Sequence, residues 1–213
     1  MSDTASIIAN DLLTIQAVTL RPQAPFTWAS GIKSPIYTDN RLTIAYPAVR
    51  QRIAAGIAAI IKRDYPQTEV IAGVATAGIP HAAWVAQLLE LPLIYVRSKP
   101  KDHGAGRQIE GVLKPGQKVV MLDDLISTGG SVLQAAKAVQ AAAGDIQAVG
   151  SIFSYGLAAA TTNFEAAKLP LFSLTNYATL IKVARDKGDI TDAELASLHT
   201  WRQDPQNWHA DMQ

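Results

Sequence analysis

The chain has 213 residues, 48% hydrophobic and 17% charged, which is enough apolar side chain for a sizeable core and excludes wholesale disorder. Lys and Arg total 19 against 18 Asp and Glu. That balance excludes both a global basic field for nucleic acid and an acidic tail, so local charge must carry any electrostatic function. With no cysteine, disulfides, thiolate metal sites and a Cys nucleophile are ruled out, and a reducing compartment is permitted.

The start, MSDTASIIANDLL, lacks a basic region ahead of an apolar stretch. The longest apolar run, Ile53 to Ile61, lies between Arg52 and Lys62 and is too short to span a bilayer. The expected location is cytoplasmic, with no membrane partner. Across residues 3 to 18, Ile7, Ile8, Leu12 and Ile15 recur at near-helical spacing, until Pro22 and Pro25 break the pattern. The following FTWASGIKSPIYTD predicts two short strands around a turn at Ser30 and Gly31. From Tyr46 to about Tyr65, Val49, Ile53, Ile57 and Ile60 fall on one helical face. Apolar runs at 70–75, 92–96, 118–122, 146–153 and 169–174 then alternate with helix-like segments. That alternation predicts an α/β fold, a parallel sheet covered by helices on both faces, with a small N-terminal piece (1–45) attached to the core (46–213) in one domain. TDAE at 191–194 fits a capping box that opens a last helix, with Trp201 and Trp208 as packing anchors. One long non-periodic segment, RSKPKDHGAGRQIEG at 97–111, is basic and poor in apolar residues, as functional loops are.

The stretch VVMLDDLISTGGS (119–131) sets two adjacent carboxylates behind an apolar run. Ligands of open parallel sheets bind beyond the carboxyl ends of strands, where Asp123 and Asp124 fall if the strand is 118–122. Paired carboxylates there need a polyol, a metal or a cation. Leu125 and Ile126 can turn back into the core, whereas Ser127, Thr128, Gly129, Gly130 and Ser131 present N–H groups and hydroxyls with little bulk, ahead of a helix marked by Val132, Ala136 and Val139. A glycine-preceded helix N-terminus favours phosphate. Diol-binding acids beside a phosphate cradle describe a sugar phosphate. A P-loop fails for want of its lysine, and GAGRQI (104–109) is only a partial dinucleotide fingerprint in a basic loop.

This stretch closely resembles the phosphoribosyl-diphosphate (PRPP) binding signature of the type I phosphoribosyltransferases. FTWASGIKSPIYTDNR (26–41) resembles the N-terminal hood, and YVRSKPKDHGAG (95–106) the mobile catalytic loop, of orotate phosphoribosyltransferases. The resemblance runs through essentially the whole chain. It implies a type I phosphoribosyltransferase core under a small hood, and transfer of the phosphoribosyl group of PRPP to orotate, giving orotidine 5′-monophosphate and pyrophosphate in pyrimidine synthesis. Asp123 and Asp124 would hold the ribose hydroxyls, Ser127 would lie near the base, and Thr128 to Ser131 would hold the 5′-phosphate. Lys101, Asp102 and His103 would be the catalytic residues of that loop, and its cations, Arg97, Lys101 and His103 with Lys99 as an extra candidate, would serve the pyrophosphate of PRPP. A homodimer would place Lys101 and His103 in the neighbouring subunit's site. Mg2+ is the implied cofactor, held mainly through PRPP oxygens rather than by protein ligands. VATAGIPHA (74–82) would form the pyrophosphate-side loop, with Thr76, Ala77 and Gly78 offering N–H groups. His81, His199 and His209 lack metal-ligand spacing and are expected to be structural or at the surface.

The chain departs from some members, which carry lysines where it has Ala29, Ala77 and Ser98, and an arginine after the fifth strand where it reads FSYGLAAA (153–160). Lys33 and Arg41 are candidates to replace those charges on orotate, and Tyr37 and Tyr155 to border the base. A non-catalytic PRPP or nucleotide sensor on the same fold would account for the missing lysines but not for the retained Lys101-Asp102-His103 run. A phosphoribosyltransferase for another base is disfavoured by the hood motif.

Overall fold

The computed structural model describes residues 4–27, 31, 33–98 and 108–208. The chain opens with α1 (Thr4–Thr14), then places β1 (Val18–Leu20), β2 (Phe26–Thr27), β3 (Lys33–Ser34), β4 (Ile36–Thr38) and a 3-10 helix (Asn40–Ala45) before the core. The core continues with α2 (Pro47–Asp64), β5 (Val70–Val74), α3 (Gly78–Leu89), β6 (Leu93–Val96), β7 (Ile109–Glu110) and β8 (Lys118–Ile126). It is completed by α4 (Gly130–Ala141), β9 (Asp145–Ser154), α5 (Ala158–Ala167), β10 (Leu171–Asn176), α6 (Tyr177–Asp186) and α7 (Asp192–Gln203). The main sheet has the order β10-β9-β8-β5-β6-β7, with every pair parallel except β6 and β7.

Period-two alternation distributes the strand side chains between two cores. Ile71, Val120, Leu122 and Ile152 join α1, α2, α3, α6 and α7 in one apolar cluster. Val70, Ala72, Val119, Met121 and Val149 face the opposite way and meet α4 and α5 in the second. Both faces of the sheet are therefore buried, which is why its strands read as continuous apolar runs. Trp201 and Trp208 pack into the first cluster as the sequence predicts, and Thr191 with Glu194 forms the capping box that starts α7.

The structure corrects several boundaries. The first helix stops at Thr14, and Val18 already pairs with Thr38 as β1 meets β4. The basic segment leaves β6 at Arg97 and returns in β7, whose Ile109 pairs with Val96. That two-residue strand carries no periodicity to announce it. The N-terminal piece is tied down by long-range bonds: the Trp201 indole donates to the Lys33 carbonyl at 3.1 Å, and the Tyr155 hydroxyl to Thr38 Oγ1 at 3.1 Å. Among the described residues no helix is long and apolar enough to cross a membrane.

Candidate active site

β8 does not stop at Leu122 but runs on through Ile126, carrying Asp123 and Asp124 within its last turn of pleat. Its ladder to β5 ends at Leu122, whereas β9 follows it to Ile126. The two acids thus stand at the end of the strand where one neighbour has already finished. The pleat does not alternate regularly here, for Leu122 and Leu125 both join the first core, and the carboxyls of Asp123 and Asp124 lie close enough to act on one another by charge and by hydrogen bonding. Ser131 at the start of α4 favours the charged form of Asp123, and Asp124 lies in the field of Arg41 and Asp39 of the hood.

Burial and the neighbouring Asp124 charge push the Asp123 carboxyl up to about 7. Burial also raises Asp124, with hydrogen bonding and Arg41 pulling the other way. Neither carboxylate has a cationic partner among the described residues, and the backbone N–H of Asp124 donates to Asp123 Oδ1 at 2.9 Å. Two desolvated acids without a salt-bridge partner are what a site for hydroxyl donors or a cation requires.

Two helix N-termini flank the pair. Gly129 caps α4 at φ 80°, and no side chain bonds the first N–H groups of that helix. At that φ a side chain is strained, and a Cβ would also lie 2.5 Å from the Phe164 ring. Thr128, Gly130 and Ser131 are exposed, Ser127 is half-buried, and the Thr128 carbonyl is held by Asn163 Nδ2 at 2.9 Å. Leu125 packs against the first core and Ile126 is buried in the second, as the sequence predicts.

The other N-terminus, α3, follows β5 through Ala75, Thr76 and Ala77, again with no side-chain cap. A Cβ on Gly78 would lie 2.4 Å from the Leu122 carbonyl oxygen and 3.1 Å from Asp123 Cα. Backbone therefore meets backbone here, and the absence of a side chain lets the start of α3 rest on the strand that carries the acids. Uncapped N–H groups and the positive ends of two helix dipoles converge on one strand end. The arrangement suits a ligand with a diol between two anionic groups.

A model described as "Phosphoribosyl transferase domain" matches residues 46–165. The chain is 84% identical over 208 residues to the orotate phosphoribosyltransferase of Lactiplantibacillus plantarum, covering 98% of each chain. It is 57% identical over 201 residues to that of Bacillus subtilis, covering 94% of this chain and 93% of the other. The chain belongs to the orotate phosphoribosyltransferase family. The crystal structure of an orotate phosphoribosyltransferase from Aeropyrum pernix superposes with a TM-score of 0.73 at 25% identity, over 86% of this chain and 99% of that one.

The remaining family candidates fall in several places. Arg97 sits where β6 ends, exchanging hydrogen bonds with Gln108 across the chain and lying 3.9 Å from Glu110. Lys99, Lys101, Asp102, His103, Ala29 and His209 lie outside the described residues. Arg41 grips Asp39 with both guanidinium branches at 2.6 and 2.8 Å. Lys33 is exposed and donates to Thr27 Oγ1 at 2.8 Å, and the exposed Tyr37 ring leans on Phe26. Tyr155 is buried, edge-on to Phe153 and Trp201, with its hydroxyl pushed up to about 12 by burial. His199 is exposed, whereas His81 is buried.

One hood residue joins the site without having been singled out in the sequence. Asn40, almost wholly buried, donates from Nδ2 to the Asp124 carbonyl at 2.8 Å, where the β5 ladder no longer reaches. Nothing in the periodicity of a polar TDNR run marks its asparagine as interior; the only available signal was its place in the hood motif.

Proposed function

We propose that this chain transfers the phosphoribosyl group of PRPP to orotate, forming orotidine 5′-monophosphate and pyrophosphate. The observation that carries the proposal is the unpaired acid couple Asp123 and Asp124 held between the uncapped starts of α3 and α4. In this reading the carboxylates accept from the ribose hydroxyls. The N–H groups of Thr128 to Ser131 take the 5′-phosphate, and those of Thr76 to Gly78 face the pyrophosphate. The C1–oxygen bond breaks with its electron pair leaving on pyrophosphate, and a ring nitrogen of orotate, its N–H proton passing to pyrophosphate or solvent, supplies the pair for the new C1–nitrogen bond.

Between the two events the ribose carries positive charge, which Asp123 and Asp124 are placed to favour by through-space attraction. Arg97, with Lys101 and His103 from a neighbouring subunit of a homodimer, would draw charge off the leaving group, and loop closure would exclude water. Arg41, with its Asp39 partner, and Lys33 are the proposed contacts for the orotate carboxylate; Tyr37 and Ser127 would border the ring. A cysteine-free chain suits a cytoplasmic setting.

Magnesium is the proposed cofactor. It would be held mainly through PRPP oxygens, and among the described residues no three His, Asp or Glu side chains cluster as a metal cage. When bound, it would neutralise pyrophosphate. The test is the near-ultraviolet absorbance of orotate on mixing purified protein with PRPP and magnesium, with magnesium omitted and with hypoxanthine, adenine or uracil replacing orotate as controls. Magnesium-dependent loss of orotate is expected. An unchanged spectrum alongside turnover of another base would overturn the assignment.

A further inference from the structure

A buried polar relay crosses from α3 to the acid-bearing strand. His81 Nε2 lies 3.1 Å from Thr43 Oγ1, that hydroxyl lies 2.5 Å from the Asn40 carbonyl, and Asn40 Nδ2 donates to the Asp124 carbonyl at 2.8 Å. All three side chains are at most 1% exposed. The hydrogen-bond inventory fixes the direction of every step. Thr43 has one hydroxyl hydrogen, and the Asn40 carbonyl can only accept it. Thr43 Oγ1 must therefore accept from His81, so the ring carries its proton on Nε2. Asn40 must turn its amide nitrogen to Asp124, because that carbonyl cannot donate.

This wiring leaves Asn40 Oδ1 and His81 Nδ1 buried with no hydrogen-bond partner among the described residues. Both are bare acceptors, and unfilled buried acceptors cost stability. A relay kept solely for stability would be better replaced by apolar side chains of similar shape. Burial also lowers the His81 pKa to about 4, consistent with a neutral ring.

We infer that His81 is a positioning residue: through Thr43 and Asn40 it fixes the main chain of Asp124 relative to the start of α3, and so sets the carboxylate couple against the pyrophosphate-side loop. The inference rests on the PRPP reading above for its consequence, though not for its geometry. His81 sits only four residues after Ala77, and Gly78 already presses on Leu122 and Asp123, so the relay closes a loop around the same strand end from the hood side.

Two measurements test it. Nitrogen-15 NMR of the unliganded protein at neutral pH should show His81 as the neutral Nε2–H tautomer; an Nδ1–H tautomer or a charged ring would overturn the relay. The paired variant His81→Leu with Thr43→Val removes the polar atoms together, and Thr43→Val alone serves if the pair does not fold. Melting temperature should hold, while the Kd and KM for PRPP rise about tenfold, the worth of one lost buried hydrogen bond, with the KM for orotate unchanged. His81→Gln, which can still present an N–H to Thr43, should restore PRPP affinity. Unaltered PRPP affinity in a folded Thr43→Val protein would refute positioning, as would a loss shared equally by Tm and every kinetic constant. If the unaltered protein binds no PRPP in calorimetry, the functional reading falls instead, and the ligand-free tautomer still decides the relay.

Discussion

Gly129 and Gly130 are adjacent, yet the structure asks different things of them. Gly129 has φ 80°, and a Cβ there would meet the Phe164 ring at 2.5, 3.2 and 3.4 Å. Left-handed backbone costs a side chain about 1–2 kcal/mol and overpacking about 1–3 more, so Gly129→Ala should lose at least about 2 kcal/mol. For a chain of this size that lowers Tm by about 4 °C or more. A Cβ on Gly130 would find only Thr128 Oγ1, at an ordinary 3.7 Å. Gly130→Ala should therefore hold or raise Tm, since the alanine restricts the unfolded chain by about 0.4–1 kcal/mol. If the 5′-phosphate rests on the N–H groups at the start of α4, the added methyl stands in its way. The Kd for PRPP should then rise and kcat/KM fall by roughly tenfold to a hundredfold. Differential scanning fluorimetry, isothermal calorimetry with PRPP and steady-state kinetics on both variants separate the effects. Wild-type PRPP affinity in a folded Gly130→Ala protein would refute the phosphate assignment, because nothing in the protein itself requires glycine there.

Three further outcomes are expected. Gly78→Ala, whose Cβ would press on the Leu122 carbonyl at 2.4 Å, should cost about 1–3 kcal/mol and weaken PRPP binding, because neither backbone can yield without moving α3 off β8; unchanged Tm would contradict that contact. Asp123 is held up at about 7 against 3.8 in the unfolded chain, so between these values the folded state keeps a proton that the unfolded state releases, and the stability of the unliganded protein falls as pH rises through that window. Asp123→Asn should thus gain in Tm over the unaltered protein, by more at pH 8 than at pH 5, and a gap independent of pH would exclude Asp123 as the cause. Tyr155→Phe should lower Tm by a few degrees through loss of the bond to Thr38, worth about 1 kcal/mol, and an unaffected Tm would show that this bond does not secure the hood.

How far the sequence led depends on the type of interaction concerned. Buried helices and strands were legible because apolar periodicity is a property of the element that carries it: Val49, Ile53 and Ile57 are all buried along α2, and Val119 to Leu122 along β8. The turn of small residues that opens α4 was legible as well, since small residues before a helix encode their own backbone geometry. The end of β8 was not, because Asp123 to Ile126 remain a strand only through β9, whose paired residues lie 28 positions later (Asp123 with Ser151, Ile126 with Ser154) and which no local pattern announces. β7 and the pair of β1 with β4 escaped for the same reason: two or three residues become strands only once a partner arrives. Asn40 and His81 looked like ordinary polar residues, and their burial is set by tertiary contacts between hood and core.

The same distinction explains why a chain would place two like charges side by side at the end of a buried strand. A single acid would offer one carboxyl; two in succession set a mutually interacting pair at one strand end, with Ser131 of α4 acting on the first and Arg41 of the hood on the second. Burying both without a cation raises their pKa values and destabilises the unliganded protein. A ligand that brings hydroxyl donors, a cation or developing positive charge removes that penalty as it binds. In the proposed reaction that relief would grow with the charge that appears on the ribose and so be greater in the transition state than in the ground state, which is the condition for accelerating the reaction rather than merely holding the substrate. Asn40 and Gly78 gain their purpose from this: electrostatic relief of that kind depends on distance, and both fix the main chain from which the two carboxylates project.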